Sequence, residues 1–113
     1  MEYFTTEKIE GTTVIRFRFN EINLEQREAL KEKLTSLLNT NDAKFILNLS
    51  KIGFLSSLVI TTILFFAKEA RQRNKEVKLC EPTKDGQTIL QIMHLNKIFE
   101  AYETEREAIE SFK

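Results

Sequence analysis

The sequence predicts one α/β domain built on a mixed sheet of four or five strands with about four helices, in the order β-β-α-β-α-β-α-β-α. Three observations carry this. Short runs rich in β-branched and aromatic residues alternate with longer segments whose apolar residues recur every three or four positions. Polar residues suited to start a helix stand directly ahead of several of those segments. The 113 residues, 42% hydrophobic and 30% charged, contain no repeat, low-complexity tract or linker, so residues 1–113 read as a single domain with one core.

The elements follow in order. Residues 3–9 and 12–19 read as two strands, and Glu10-Gly11 between them is a turn signal, so a hairpin is expected. In the second strand Val14, Ile15, Phe17 and Phe19 are apolar while Arg16 and Arg18 alternate with them, which predicts one buried and one wet face. Asn23 is a good N-cap and Gln26 stands three positions on, as in a capping box. Leu30, Leu34, Leu37 and Leu38 give that helix its apolar stripe, and the polar run 39–42 ends it.

Residues 45–49 read as a central strand. A second helix is expected over about 56–73, with Leu58, Val59, Ile60, Ile63, Leu64, Phe66, Ala67 and Ala70 covering more than one stripe. Such a helix is either sandwiched or shows a patch to a partner. Residues 77–80 form the next strand, stopped by Pro82. Ile89, Leu90, Ile92 and Met93 mark a third helix, residues 98–102 a short last strand. Thr104 with Glu107 is a second capping-box pattern, opening a helix to about Phe112.

Composition removes several function classes. Lys plus Arg equals Asp plus Glu at 17 each, which leaves no electrostatic footprint for nucleic acid or anionic lipid. The basic residues of 68–78 are interleaved with Glu69 and Glu76 and read as a solvated helix end. The longest apolar stretch, 58–67, is broken by Thr61 and Thr62 and is about half the roughly 20 residues a membrane span needs. The first residues carry acid and polarity where a secretory signal needs an apolar segment, so a cytoplasmic protein is expected.

Cys80 is the single cysteine and His94 the single histidine, so neither a disulfide within the chain nor a zinc site is expected, and no metal or cofactor. Nucleophilic catalysis by Cys80 or Ser57 would need an oriented base, and only His94 offers an imidazole. With 3 glycines there is no phosphate-cradling loop. Asn48-Leu49-Ser50 stands where a phospho-acceptor aspartate would end the central strand. The 9 phenylalanines fall mostly at core positions.

Ser56 and Ser57 remain. One of the two caps the second helix. A phosphoryl group here would meet free helix N–H groups at the positive end of the helix dipole. It would also add roughly −1.5 to −2 charge beside Leu55, Leu58 and Val59, penalising an apolar partner. Capping and switching are compatible, with the two serines dividing the roles.

Three stretches then point to a family. Residues 45–58, FILNLSKIGFLSSL, resemble the anti-sigma factor antagonists, which are STAS domains of the bacterial partner-switching type. Residues 67–80, AKEARQRNKEVKLC, and 94–102, HLNKIFEAY, continue the similarity. The resemblance covers nearly the whole chain and implies a STAS-like fold. It further implies a regulator without catalysis of its own, which binds an anti-sigma factor, often a serine kinase, and frees a sigma factor. The phospho-acceptor it implies is Ser57. The family's aspartate before the serine pair is Leu55 here, the glycine after it is Leu58, the aspartate after strand two is Asn23 and the strand aspartate is Asn48. Leu55 and Leu58 are expected to narrow access to Ser57 and make the loop stickier.

The expected contact surface is loop 52–57 with the start of the second helix: Leu55, Ser56, Ser57, Leu58, Val59 and Thr62, with Ile22 and Asn23 beside it. The alternative is a constitutive STAS interaction module, in a signalling complex or as a transporter accessory subunit, with a decayed switch. A small ligand-binding domain or enzyme with a pocket at the sheet's carboxyl edge is a further class. The apolar second helix leaves a homodimer open.

Overall fold

A computed structural model describes residues 2–113. The elements are β1 (Phe4–Ile9), β2 (Thr12–Phe17), α1 (Leu24–Leu37), β3 (Lys44–Asn48), α2 (Ser57–Gln72), β4 (Glu76–Cys80), α3 (Lys84–Ile92), a short 3-10 turn (Leu95–Lys97), β5 (Ala101–Tyr102) and α4 (Glu105–Ser111). The five strands lie in the order β1-β2-β3-β4-β5, with β1 antiparallel to β2 and the other pairs parallel. The expected mixed α/β sheet and element order are present.

Local chemistry sets the element ends. Glu10 and Gly11 take φ of 50° and 83°, the paired left-handed angles of a tight hairpin turn. Asn23 Oδ1 accepts from the Gln26 N–H at 2.8 Å while Gln26 Oε1 accepts from the Asn23 N–H at 3.0 Å, the full capping box. Thr83 caps α3 and Thr104 caps α4 through their hydroxyls.

α1, α2 and α3 cover one face of the sheet. Their buried residues join Ile15, Phe17, Phe45, Leu47 and Leu79 in the main core, where Phe45 and Phe66 meet edge to face at 5.7 Å. α2 packs on the sheet and against α1 and keeps one side open to solvent: Ile60, Ile63, Phe66 and Ala70 are buried, Thr61 and Lys68 are exposed, and Lys31 of α1 lies 4.2 Å from the centre of the Phe65 ring.

Two expectations change. The second face of β2 is only partly wet, because α4 returns across the chain and lays Ala108 and Ile109 over Val14, Ile46 and Cys80, while Arg16 and, just past the strand, Arg18 keep contact with solvent. The last strand is two residues, not five. The Ile98 and Phe99 N–H groups donate to the Leu95 carbonyl at 3.0 and 2.8 Å, so the start of that segment is spent on a turn rather than on a ladder.

Candidate functional site

The site is the loop that carries the chain from the carboxyl end of β3 to α2. Asn48 Oδ1 accepts from the Ser50 N–H at 2.9 Å and the Ile52 N–H donates to the Leu49 carbonyl at 3.0 Å, which turns the chain back over the sheet edge. Ile52 then points inward and is fully buried. At Gly53 the backbone passes a neighbouring loop closely: its N–H donates to Asn20 Oδ1 at 2.9 Å, and its carbonyl accepts from Thr83 Oγ1 at 3.3 Å.

The next two residues part company. Phe54 is 52% exposed, whereas Leu55 is 3% exposed. A Cβ on Gly86 would stand 3.6 Å from Leu55 Cδ1, so Leu55 lies against the first turn of α3. The two serines also separate. Ser56 takes extended angles and its Oγ accepts from the Val59 N–H at 3.4 Å, so it is the cap. Ser57 is the first helical residue and its side chain is exposed.

The expected contact residues thus fall into two sets. Ser57 and Asn23 are exposed, with Asn23 occupied in its capping box; Ser56 and Leu58 are half-buried, and Leu58 packs against the main core. Ile22, Leu55, Val59 and Thr62 are buried. Thr62 Oγ1 donates to the Leu58 carbonyl at 2.7 Å. Leu55 therefore anchors the loop instead of adding an apolar surface to it. Of the adjacent pair Phe54 and Leu55, it is the leucine side chain that reaches the core.

Sequence reading did not single out Phe54, Leu24 or Asn20. Leu24 is 62% exposed. At roughly 100° per residue it lies about 40° from the buried Leu38, so spacing alone does not mark it as exposed. The Asn20–Gly53 bond brings the segment before α1 against the residue that precedes the exposed Phe54.

Charge gathers on the other face. Arg16 Nε and Nη2 donate to the two oxygens of Glu105 at 2.8 Å each, and Nη1 to Glu7 at 2.6 Å. Asn48 Nδ2 donates to Glu105 Oε2 at 2.5 Å. The Arg16 hydrogen bonds hold the Glu105 carboxyl below the usual carboxylate range, with a smaller contribution from Asn48. The strand end that lacks its own aspartate thus has a carboxylate delivered by α4.

Cys80, Glu81 and Glu105 approach one another closely enough to hold a cation. Each already has another role. Both Glu105 oxygens serve Arg16, Glu81 Oε2 accepts from the Glu105 N–H at 3.2 Å, and burial pushes the Cys80 thiol up to about 12. Cys80 is also fully buried. His94 follows α3 in a left-handed conformation, close in sequence to Ile98 and Phe99, which meet residues 74–78 at the amino end of β4. Ser57 lies beyond the carboxyl end of β3, whereas α3 runs back from that end before His94. An open groove of about 530 Å³ lies at that amino end, lined by Arg71, Val77 and Ile98 among others. Among the described residues no helix is long and apolar enough to cross a membrane.

Comparison with known proteins adds the family. The sequence profile of the STAS domain matches residues 3–108. BtrV of Bordetella bronchiseptica, named as a candidate anti-sigma factor antagonist, is 27% identical over 111 residues, covering 96% of this chain and 93% of that protein. An anti-sigma factor antagonist (STAS) domain protein from Planctomyces limnophilus superposes with a TM-score of 0.84 at 18% identity, over 96% of each chain. The Bacillus cell fate determinant SpoIIAA in its phosphorylated form superposes with a TM-score of 0.72 at 22% identity, over 97% of this chain and 99% of that one.

Proposed function

The chain belongs to the STAS-domain family, and from that premise we propose that it is an anti-sigma factor antagonist working by partner switching, with Ser57 as phospho-acceptor and no catalysis of its own. The observation that carries this is the division of labour between the serines. Ser56 already caps α2, so the exposed Ser57 hydroxyl is available for another use at no cost to the helix. Phe54 and the half-buried Leu58 flank it with apolar surface.

A partner docked on Phe54 and Leu58 would cover Ser57. A kinase partner would transfer the terminal phosphoryl group of ATP to Ser57 Oγ, releasing ADP and the hydroxyl proton. The phosphoryl group would meet the unpaired N–H groups of the first turn, a contact worth about 0.3–1 kcal/mol at an exposed site. Its charge would oppose re-docking of an apolar partner while the buried Leu55, Val59 and Thr62 keep the loop folded. Hydrolysis by a phosphatase would reset the surface. A relative of the same fold in its phosphorylated form supports this reading.

The second reading is a constitutive interaction module. It is favoured by Leu55, which stands at the family's aspartate position and is tied into the core.

The test is titration of the purified anti-sigma factors of the same genome against wild type, Ser57→Ala and Ser57→Asp, with phosphate on Ser57 located by peptide mass spectrometry. The proposal expects one of them to bind wild type and Ser57→Ala alike, and Ser57→Asp to bind at least about 30-fold more weakly, roughly 2 kcal/mol. Equal binding by all three, with no phosphate at Ser57 after incubation with the partner and ATP, leaves the constitutive module.

A further inference from the structure

We infer that Asn20 and Thr83 are positioning residues: they hold the two peptide groups that flank the Gly53 Cα and so fix how Phe54 and Ser57 are presented to a partner. The inference rests on the partner-switching reading for its consequence, but not for its geometry. Gly53 stands three residues before the cap of α2, in a stretch without ladder or helix bonds of its own. What holds it comes from elsewhere. Asn20, in the segment after β2, accepts from the Gly53 N–H at 2.9 Å across 33 positions of sequence. Thr83, after β4, donates to the Gly53 carbonyl at 3.3 Å across 30 positions.

The Thr83 hydroxyl is used twice. Its one hydrogen is given to Gly53, and its oxygen accepts from the Gly86 N–H at 3.1 Å, so the residue that caps α3 is also the one that holds the loop. Leu55 then packs beside that same α3 turn. Loops from three consecutive strands are thereby joined at one residue. The close approach also explains the glycine. A Cβ at Gly53 would stand 2.8 Å from Asn20 Oδ1, although its φ lies outside the left-handed region and is open to any residue. A larger residue here would push the end of the Asn20 side chain aside, so the glycine lets Asn20 reach the Gly53 N–H.

With Gly53 held on both sides, the loop is ordered before a partner arrives, which reduces the affinity spent on ordering it. Loosening the grip should lower the competent fraction and weaken binding by the same factor, although Phe54, Ser57 and Leu58 are all still present to meet the partner.

The experiment is hydrogen–deuterium exchange of the full chain, resolved to Gly53 and compared with the β3 amides. Asn20→Ala is expected to speed exchange at Gly53 about fivefold to tenfold, the range one modest hydrogen bond allows, with β3 unchanged. Asn20→Asp keeps the acceptor and is expected to restore slow exchange. Gly53→Ala is expected to loosen the loop as Asn20→Ala does. The double variant Asn20→Ala/Gly53→Ala should be no worse than Gly53→Ala alone, because the shortened side chain vacates the space the new Cβ needs. Affinity for the anti-sigma factor that binds wild type should fall only as the closed fraction falls, by the factor 1 + K with K the opening constant read at Gly53. Unchanged exchange in Asn20→Ala, strictly additive single and double variants, or an affinity that does not follow the closed fraction read by exchange would each overturn the inference. Failure of every anti-sigma factor to bind wild type would overturn partner switching instead, and the exchange pattern would still decide whether the clamp exists.

Discussion

Phe54 and Leu55 are adjacent, apolar and alike on any hydropathy scale, yet they should respond to alanine in opposite ways. Leu55 is 3% exposed and lies against Gly86, so Leu55→Ala removes buried methyl groups and leaves a cavity at the joint between the loop and α3. Such truncations cost about 3 kcal/mol, within a range of roughly 2–5. Unfolding entropy for a chain of this size is roughly 240 cal/mol/K, so the melting temperature should fall by about 12 °C. Phe54 is 52% exposed, and Phe54→Ala should cost about 1 kcal/mol or less, a shift of roughly 4 °C at most. Its effect should appear in binding: a central aromatic anchor is worth at least about 1.4 kcal/mol, a tenfold loss of affinity. The assay pairs calorimetric melting with titration of the anti-sigma factor that binds wild type. A Leu55→Ala protein melting within about 2 °C of wild type would refute the inward placement of Leu55. A Phe54→Ala protein that melts as low as the Leu55 variant while binding normally would reverse the two roles.

The paired serines give a second contrast: Ser56→Ala should cost about 0.5–1 kcal/mol by thermal melting, the low end for a cap whose bond is 3.4 Å long, while Ser57→Ala should be neutral. Equal losses from both would show that the cap is shared. Acid titration tests the charge cluster on the α4 face. The Glu105 carboxyl is held low in the folded chain, chiefly by Arg16, so its contribution to stability is complete above the ordinary value near 4.3 and is lost as pH falls through the depressed folded value. Glu105→Gln should therefore melt lower than wild type at pH 7, by about 1 kcal/mol given that Arg16 is partly exposed, and the gap should close below about pH 4. A gap independent of pH would mean the loss is one of packing and not of charge.

The order of elements and most of their ends were legible because the signals are local. Asn23 with Gln26, the Glu10-Gly11 turn and the Leu30-Leu34 stripe each act within a few residues, and helix and strand periods repeat within one segment. Ser57 as the exposed partner of a capping serine was legible to the extent that one of two adjacent residues had to be the cap. A loop has no period, so nothing local told Phe54 from Leu55; the choice was made by the space beside Gly86, on an element about 30 residues further along the chain. The second covered face of the sheet was hidden for the same reason. Arg16 alternates with apolar neighbours as a solvent-facing residue would, and its partner Glu105 stands 89 positions away. The sequence by itself determined which segments are helices and strands, where they start, and that a hydroxyl pair opens α2. Only the tertiary structure decided which side chains of the 52–58 stretch face outward, because that depends on which distant backbone and side-chain atoms already occupy the space inside.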